Sequence, residues 1–244
     1  YVNRFQLRTA TAADHGIQNG YQSVGLHFDR EPRFYADMAF DGSTWYMENG
    51  NFNIKAKSGQ HSGKKQTRIY SVTGYYTKKL VNWKMVATPI NVVVERYPWP
   101  VVRLGDLYLL YAEALNETDN KTLALEYVNK VRDRAGLKSV ESSWANFSKN
   151  PNKYTDKNGL REIIQQERLI EMAFEGSRFW DLRRWKKAGE ILNQPIYGWD
   201  VIRSEYVDYN RRILLFNQSF NSPRDYFWPI KDDNILVNPN LVQN

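Results

Sequence analysis

Two apolar stretches joined by a short polar break constrain this chain more than anything else in it. In "RLGDLYLLYAEALNE", which begins at Arg103, the residues Leu104, Leu107, Tyr108, Tyr111, Ala114 and Leu115 fall on one helical stripe. "ETDN" interrupts the pattern. In "KTLALEYVNKVRDRAG" the stripe resumes with Ala124, Tyr127, Val128, Val131 and Ala135, and Gly136 stands where a left-handed cap is wanted. Helices joined by so few residues lie as antiparallel neighbours. Residues 103–136 are therefore expected to form a helical hairpin of the tetratricopeptide type.

A polar stretch, residues 138–159, separates this hairpin from a second one expected over residues 158–188. Asn158 is placed to cap it, and Leu160, Ile163, Ile164, Ile170 and Phe174 form the stripe of its first helix. Glu167 sits on that same stripe. An acid on an apolar face costs several kcal/mol unless it is paired, so Glu167 is expected to be buried against an arginine. Arg178, just past the turn at Gly176 and Ser177, is a candidate partner for one of the acids before it. The return helix "RFWDLRRWKKA" is expected to turn Phe179, Leu182 and Trp185 inward.

That second turn lies in "FEGSRFWDLRRWKKAG", where arginines and lysines alternate with aromatic rings. Such a mixture can stack bases and meet phosphates. Here Phe179 and Trp185 have core spacing, Arg184 follows Asp181 by three residues, and Glu167, Glu171 and Glu175 precede the turn. The stretch therefore reads as scaffold, with Trp180 and Trp185 not contacting ligand. The formal net charge of +7 permits an anionic partner without demanding one. A basic helical-repeat protein that binds nucleic acid is the alternative from a different class.

Residues 1–100 have no such periodicity. "PRFYADMAF" reads as a strand, since Phe34, Ala36, Met38 and Phe40 alternate with other residues. The Asp-Gly pair of "DGSTW" then turns the chain. Residues 55–67 form a polar, basic loop, and residues 90–100 a β-rich run closed by prolines. At the far end, Pro229 and Pro239 argue against helix.

There is no cysteine, which excludes disulfides, thiol catalysis and zinc–thiolate sites. His15, His27 and His61 form no metal-ligand pair at helical spacing. No run of about 18 apolar residues could cross a membrane as a helix. The opening "YVNRFQLRT" reads as the interior of a longer chain, with no signal peptide.

Six segments together carry a family resemblance: "DREPRFYADMAFDGSTW", "TGYYTKKL", "VVRLGDLYLLYAEALNE", "VNKVRDRAGL", "IIQQERLIEMAFEGSRFWDLRRW" and "YFWPIKDDNILVNPNLVQN". In this order they resemble the carboxy-terminal half of SusD/RagB-type proteins, which are surface lipoproteins of the outer membrane in certain Gram-negative bacteria. The resemblance implies a mainly α fold of tetratricopeptide-like helix hairpins with irregular loops and small β-elements. One continuous SusD-like domain is expected, with a loop-rich ligand-bearing region at 1–100 and the hairpins and an extended tail at 101–244. The resemblance also implies a protein that is not an enzyme and carries no cofactor or metal. Such a protein captures oligosaccharide, or in RagB-like cases peptide, and hands it to a SusC-like TonB-dependent transporter at the cell surface. On this reading the amino-terminal half is missing, and membrane attachment comes only through a lipid anchor in that half. For Glu113, in "LLYAEAL", the resemblance implies a structural acid among the packed helices.

Sugar rings pack their C–H faces on tryptophan or tyrosine, and their hydroxyls take polar side chains. The helices spend their aromatic stripes on each other, so the ligand is expected among the loops of residues 1–100. Tyr21, Trp45, Tyr46 and Trp83 are the candidate contacts; Trp199 also lies outside helical pattern. Glu113, Glu167, Arg178 and Trp185 are assigned to structure. A glycosidase needs two carboxylates facing one cleft, and no local signature among the 27 acids singles out such a pair.

Overall fold

Small β-ladders and turns make up most of the first hundred residues of the computed structural model, which describes residues 4–65, 70–87 and 92–243. Strand β1 (Leu7–Thr9) pairs antiparallel with β2 (Gln22–Val24). Helix α1 (Pro32–Asp37) follows, and β3 (Met38–Phe40) continues directly from it. The alternation through Phe34 and Ala36 thus misleads: only the end of that segment is strand. Proline at the first helical position has its φ already set and lacks an N–H that would otherwise go unpaired, so Pro32 starts a helix. The expected turn forms at Asp41 and Gly42. Gly42 has φ +84°, and a Cβ there would lie 2.1 Å from Cδ1 of Tyr21. Strand β4 (Thr44–Trp45) pairs with β5 (Phe52–Asn53), β6 (Tyr75–Thr77) with β3, and β7 (Val86–Ala87) with β8 (Val92–Val93). Residues 66–67 of the expected basic loop and 90–91 of the β-rich run lie outside the described residues.

The first hairpin is α2 (Leu104–Glu117) and α3 (Lys121–Arg134), with Gly136 at φ +71° behind it. Its buried face on α2 is Leu109, Ala112, Leu115 and Asn116, so of the expected stripe only Leu115 is buried, with Tyr108 packed partly against that core. Leu104, Leu107 and Tyr111 are exposed instead. This helix is apolar around much of its circumference, and spacing alone cannot choose between two apolar faces. On α3 the expected Ala124, Val128 and Val131 are buried. The polar stretch that follows contains helix α4 (Val140–Phe147), capped by Ser139 and anchored by the fully buried Val140.

Helix α5 (Lys157–Glu171) is capped by Asp156, whose carboxylate accepts from the Gly159 N–H at 2.9 Å; Asn158 is inside the helix. Leu160, Ile163 and Ile164 join the core built by α2, α3 and Val140. Helix α6 (Ser177–Arg184) does return after the turn, but its Leu182 packs in a separate cluster with Ala188 and Phe220. The second pair is therefore held chiefly through α5 on α2. Helix α7 (Ala188–Ile191) leads to β9 (Pro195–Trp199), α8 (Tyr206–Tyr209) and β10 (Arg212–Asn217), which pairs back on β9. Trp199, Val201 and Tyr209 then enter the core of the first region beside Val24, Ala39, Ile54 and Ala56. Pro229 and Pro239 flank, and do not prevent, a last helix α9 (Asp232–Val237).

A buried ion network fastens the early loops to the helices. Glu167 is 3% exposed and meets Arg132 at 2.8 Å and Arg33 at 2.7 Å. Arg178 does not supply its partner. Glu171, one turn on, meets Arg33, Arg103 and Arg134. Glu175 meets Arg103 and Lys79, both at 2.6 Å. Glu167 and Glu171, one turn apart on α5, line the same face, and Glu175 follows in the turn after the helix. Helix α1 grips the two helical acids through Arg33, and the segment after β6 grips Glu175 through Lys79.

His27 lies fully inside the first region. Its ring stacks on Phe40 at 3.9 Å between centroids, and its two nitrogens meet Ser23 Oγ and the Tyr75 hydroxyl at 2.7 and 2.8 Å. Burial, with the nearby Arg30 charge adding to it, pushes its pKa down to about 3. The unfolded chain therefore takes up this proton first, near the ordinary value of about 6.5. The contribution of neutral His27 is complete above that value and is lost as pH falls from there towards 3. Within that window stability should drop by about 1.4 kcal/mol per pH unit from this group. Denaturant unfolding at pH 7, 6 and 5 checks this: His27→Gln, neutral throughout, should lose that part of the slope.

Candidate ligand-binding site

Four segments of the first region converge on one cavity of about 500 Å³. The first is the turn at His15 and Gly16. A Cβ on Gly16 would lie 2.6 Å from the Tyr35 ring, so glycine lets α1 press directly on this turn. The second runs from Arg30 through α1, contributing Arg30, Pro32, Tyr35 and Ala36. The third is the end of β4, contributing Trp45 and Tyr46, and the fourth follows β6, contributing Lys78, Val81 and Trp83.

Main-chain hydrogen bonds hold these walls together. The Thr44 N–H donates to the Gly16 carbonyl at 2.9 Å, and the Glu48 N–H donates to the Trp83 carbonyl at 2.9 Å. The Lys78 ammonium donates to the carbonyls of Tyr35 and Thr44, at 2.5 and 3.1 Å, crossing from the second wall to the third. Burial lowers the pKa of Lys78, with the charge of Asp37 opposing that shift. The Lys79 grip on Glu175 sits one residue away. The cavity is therefore mounted on the ion network described above.

Of the four aromatics singled out in the sequence, three line this cavity. Tyr46 and Trp83 are 59% and 57% exposed, and Trp45 is half-buried against the first region's core. Tyr21 is elsewhere. It is buried, its hydroxyl donates to Asp41 at 2.9 Å, Lys57 reaches the same hydroxyl, and its ring covers Gly42. Trp199 is also buried. Sequence reasoning passes over Tyr35, because the helix carrying it reads as strand. It passes over His15, Arg30 and Lys78 because isolated basic residues in loops give no local signal.

The residues assigned to structure lie on the helices. Glu113 accepts from both Nη atoms of Arg184, at 2.5 and 2.7 Å, and from Nε1 of Trp185 at 2.8 Å, tying α2 to the end of α6. Arg178 and Trp185 line a smaller depression of about 320 Å³ beside α5. Contrary to expectation, Phe179 is 37% exposed and faces outward; Trp180, which is not among the residues expected inward, is 60% exposed. An eight-residue helix presents one narrow inner face, and Asp181 and Leu182 fill it. The charges around those rings are engaged: Arg184 also meets Asp181, and Arg183 donates to the Asp225 carbonyl while lying over Phe179.

A sequence model of the SusD family matches residues 1–244. SusD-like protein P38 of Formosa agariphila is 32% identical over 154 residues, covering 63% of this chain and 24% of that protein. A solved structure of BT4246 superposes with a TM-score of 0.76 at 24% identity, over 98% of this chain and 42% of that one. A SusD-like carbohydrate binding protein (BF0978) from Bacteroides fragilis superposes with a TM-score of 0.63 at 26% identity, over 88% of this chain and 42% of that one. The chain thus spans about a quarter of the curated relative's length and about two fifths of the solved structures' length.

Proposed function

The chain belongs to the SusD family, and from that premise we propose that it is a non-catalytic surface protein that captures oligosaccharide in the cavity between Trp45, Tyr46 and Trp83. The observation carrying this reading is the gathering of those three rings, from two separate segments, around one opening. Rings that face solvent offer the flat apolar surface a pyranose stacks on, and Tyr35, Lys78 and Arg30 stand close enough to meet hydroxyls. The description of the BF0978 relative as carbohydrate binding supports the same ligand class. Among the described lining residues there is no aspartate or glutamate, so the paired carboxylates of a glycosidase are not offered there.

Delivery to a SusC-like TonB-dependent transporter, at the outer surface of the outer membrane and through a lipid anchor carried elsewhere in the protein, is part of this proposal by family membership. Among the described residues no helix is long and apolar enough to cross a membrane. A binding screen of the full chain against polysaccharide fragments tests the reading. Capture of at least one glycan, with micromolar or weaker affinity as shallow wet sites give, is the expected result. Capture of peptides alone would move the protein to the RagB-like alternative. Capture of nucleic acid with affinity falling steeply in salt would defeat the proposal.

A further inference from the structure

Resting on that reading of the cavity, we propose that the oligosaccharide it takes is acidic, carrying a carboxylate or a sulfate ester on its rings. The same opening that gathers the aromatics is lined by His15, Arg30 and Lys78, with no acid among the described lining residues. Sugar hydroxyls both donate and accept, so a site for a neutral glycan is served by carboxylate, amide and basic groups together. Arginine and lysine only donate. A lining whose charged groups are all donors matches a ligand group that only accepts, and carboxylate and sulfate are such groups.

None of these basic groups is paired with a carboxylate among the described residues. The acids nearest to them in sequence are engaged by cations outside the lining. Asp14 and Asp29 both meet Arg8, at 2.6 and 3.1 Å. Glu31 meets Arg33 at 2.9 Å, and Asp37 meets Lys79 at 3.6 Å. Neither Arg30 nor His15 has an ion pair among the described residues; the Arg30 guanidinium lies over the Phe34 ring at 4.9 Å. Lys78 is the sharper case. It is 8% exposed, and its ammonium donates to two main-chain carbonyls and to no carboxylate among the described residues. A buried ammonium with no carboxylate in contact, helped only by the more distant charge of Asp37, is costly, and an anion entering the cavity lowers that cost.

The test is calorimetric titration of the full chain with matched pairs. One pair is the β-1,4-linked mannuronate tetrasaccharide against mannotetraose, which differ by a carboxylate on each ring. The other is a carrageenan tetrasaccharide before and after desulfation. An array of neutral and acidic polysaccharide fragments extends the comparison to other linkages. The expected result is that acidic members bind about 10- to 100-fold tighter than their neutral counterparts, the range a charge-assisted hydrogen bond confers. The pair that shows the difference tells carboxylate from sulfate. The preference should shrink to below about threefold in about 0.5 M salt and in Arg30→Gln. Arg30 is exposed, so the fold should survive, and the melting temperature checks that. Lys130→Gln, which removes the same charge from distant α3, should keep the preference. Neutral glycans binding as well as acidic ones, with loss in Trp83→Ala, would overturn the inference and leave the binding reading intact. Acidic glycans binding with no response to either Arg30→Gln or Trp83→Ala would place the anion elsewhere and overturn it. No binding by any glycan on the array would remove both.

Discussion

Glu171→Ala should destabilise the protein by about 4 kcal/mol, the cost of breaking a buried ion pair by removing one partner. Glu171 is 1% exposed. Its Oε1 meets Arg103 at 2.6 Å and Arg134 at 2.7 Å, and its Oε2 meets Arg33 at 2.9 Å. Without it Arg33, itself 7% exposed, keeps Glu31 and Glu167 but loses a buried hydrogen bond. Three arginines far apart in sequence, Arg33, Arg103 and Arg134, would lose their common anchor on α5. For a chain of this length that loss corresponds to a fall in melting temperature on the order of 10 °C. The pH dependence follows from the same contacts. Burial raises the Glu171 pKa, but hydrogen bonds from Arg103 and Arg33 outweigh it and hold the carboxyl below its usual range. A depressed carboxylate contributes fully above its unfolded value of about 4.3 and is lost as pH falls below that. Acid should therefore lower the wild type's stability over two successive pH ranges, through His27 below about 6.5 and through the Glu171 network below about 4.3. Urea unfolding of Glu171→Ala at pH 7 decides the matter. A change under about 1 kcal/mol would mean that desolvation already offsets the pairing energy, as it does in some buried networks.

That network marks where the sequence stops being readable. Glu167 announces itself, because an acid on the Leu160–Ile164 stripe has no other way to be tolerated. Its partners do not: Arg33 is far away in the chain, and nothing local distinguishes it from other arginines. The nearby Arg178 is the better guess by distance in sequence and the wrong one in space. Helix ends at Thr118 and Gly136 are legible because breaks and caps are local chemistry. The inner face of α2 is not, because its leucines surround it and only a tertiary neighbour chooses among them. Helix α1 is hidden by an accidental alternation whose contradiction, Pro32, is in plain view. Within the site, Tyr46 and Trp83 stand out as rings in loops. Their convergence depends on the Glu48–Trp83 hydrogen bond and on Lys78 bridging Tyr35 and Thr44, which are long-range facts with no local trace.

Removing the rings separates binding from folding, and the four aromatics should divide three ways. Trp83→Ala should weaken glycan binding about 10- to 30-fold, the roughly 1.5–2 kcal/mol of a stacked ring, with the melting temperature unchanged. Its ring is 57% exposed and holds no core. The double variant Trp83→Ala, Tyr46→Ala should bind too weakly to measure, since a micromolar site has little to lose. Trp45→Ala should cost both affinity and stability, because its ring lines the cavity on one side and packs beside Phe52 on the core of the first region on the other. Tyr21→Phe should do the reverse of Trp83→Ala. It leaves Asp41 and Lys57 without the hydroxyl between them, at a cost of about 1–3 kcal/mol for disturbed buried polar groups, and should bind like the wild type. Calorimetry and thermal melting on the same four proteins give the answer. If Trp83→Ala and the double variant bind like wild type while Tyr21→Phe loses ligand, the binding surface lies outside this cavity, and the gathering of three rings there is packing alone.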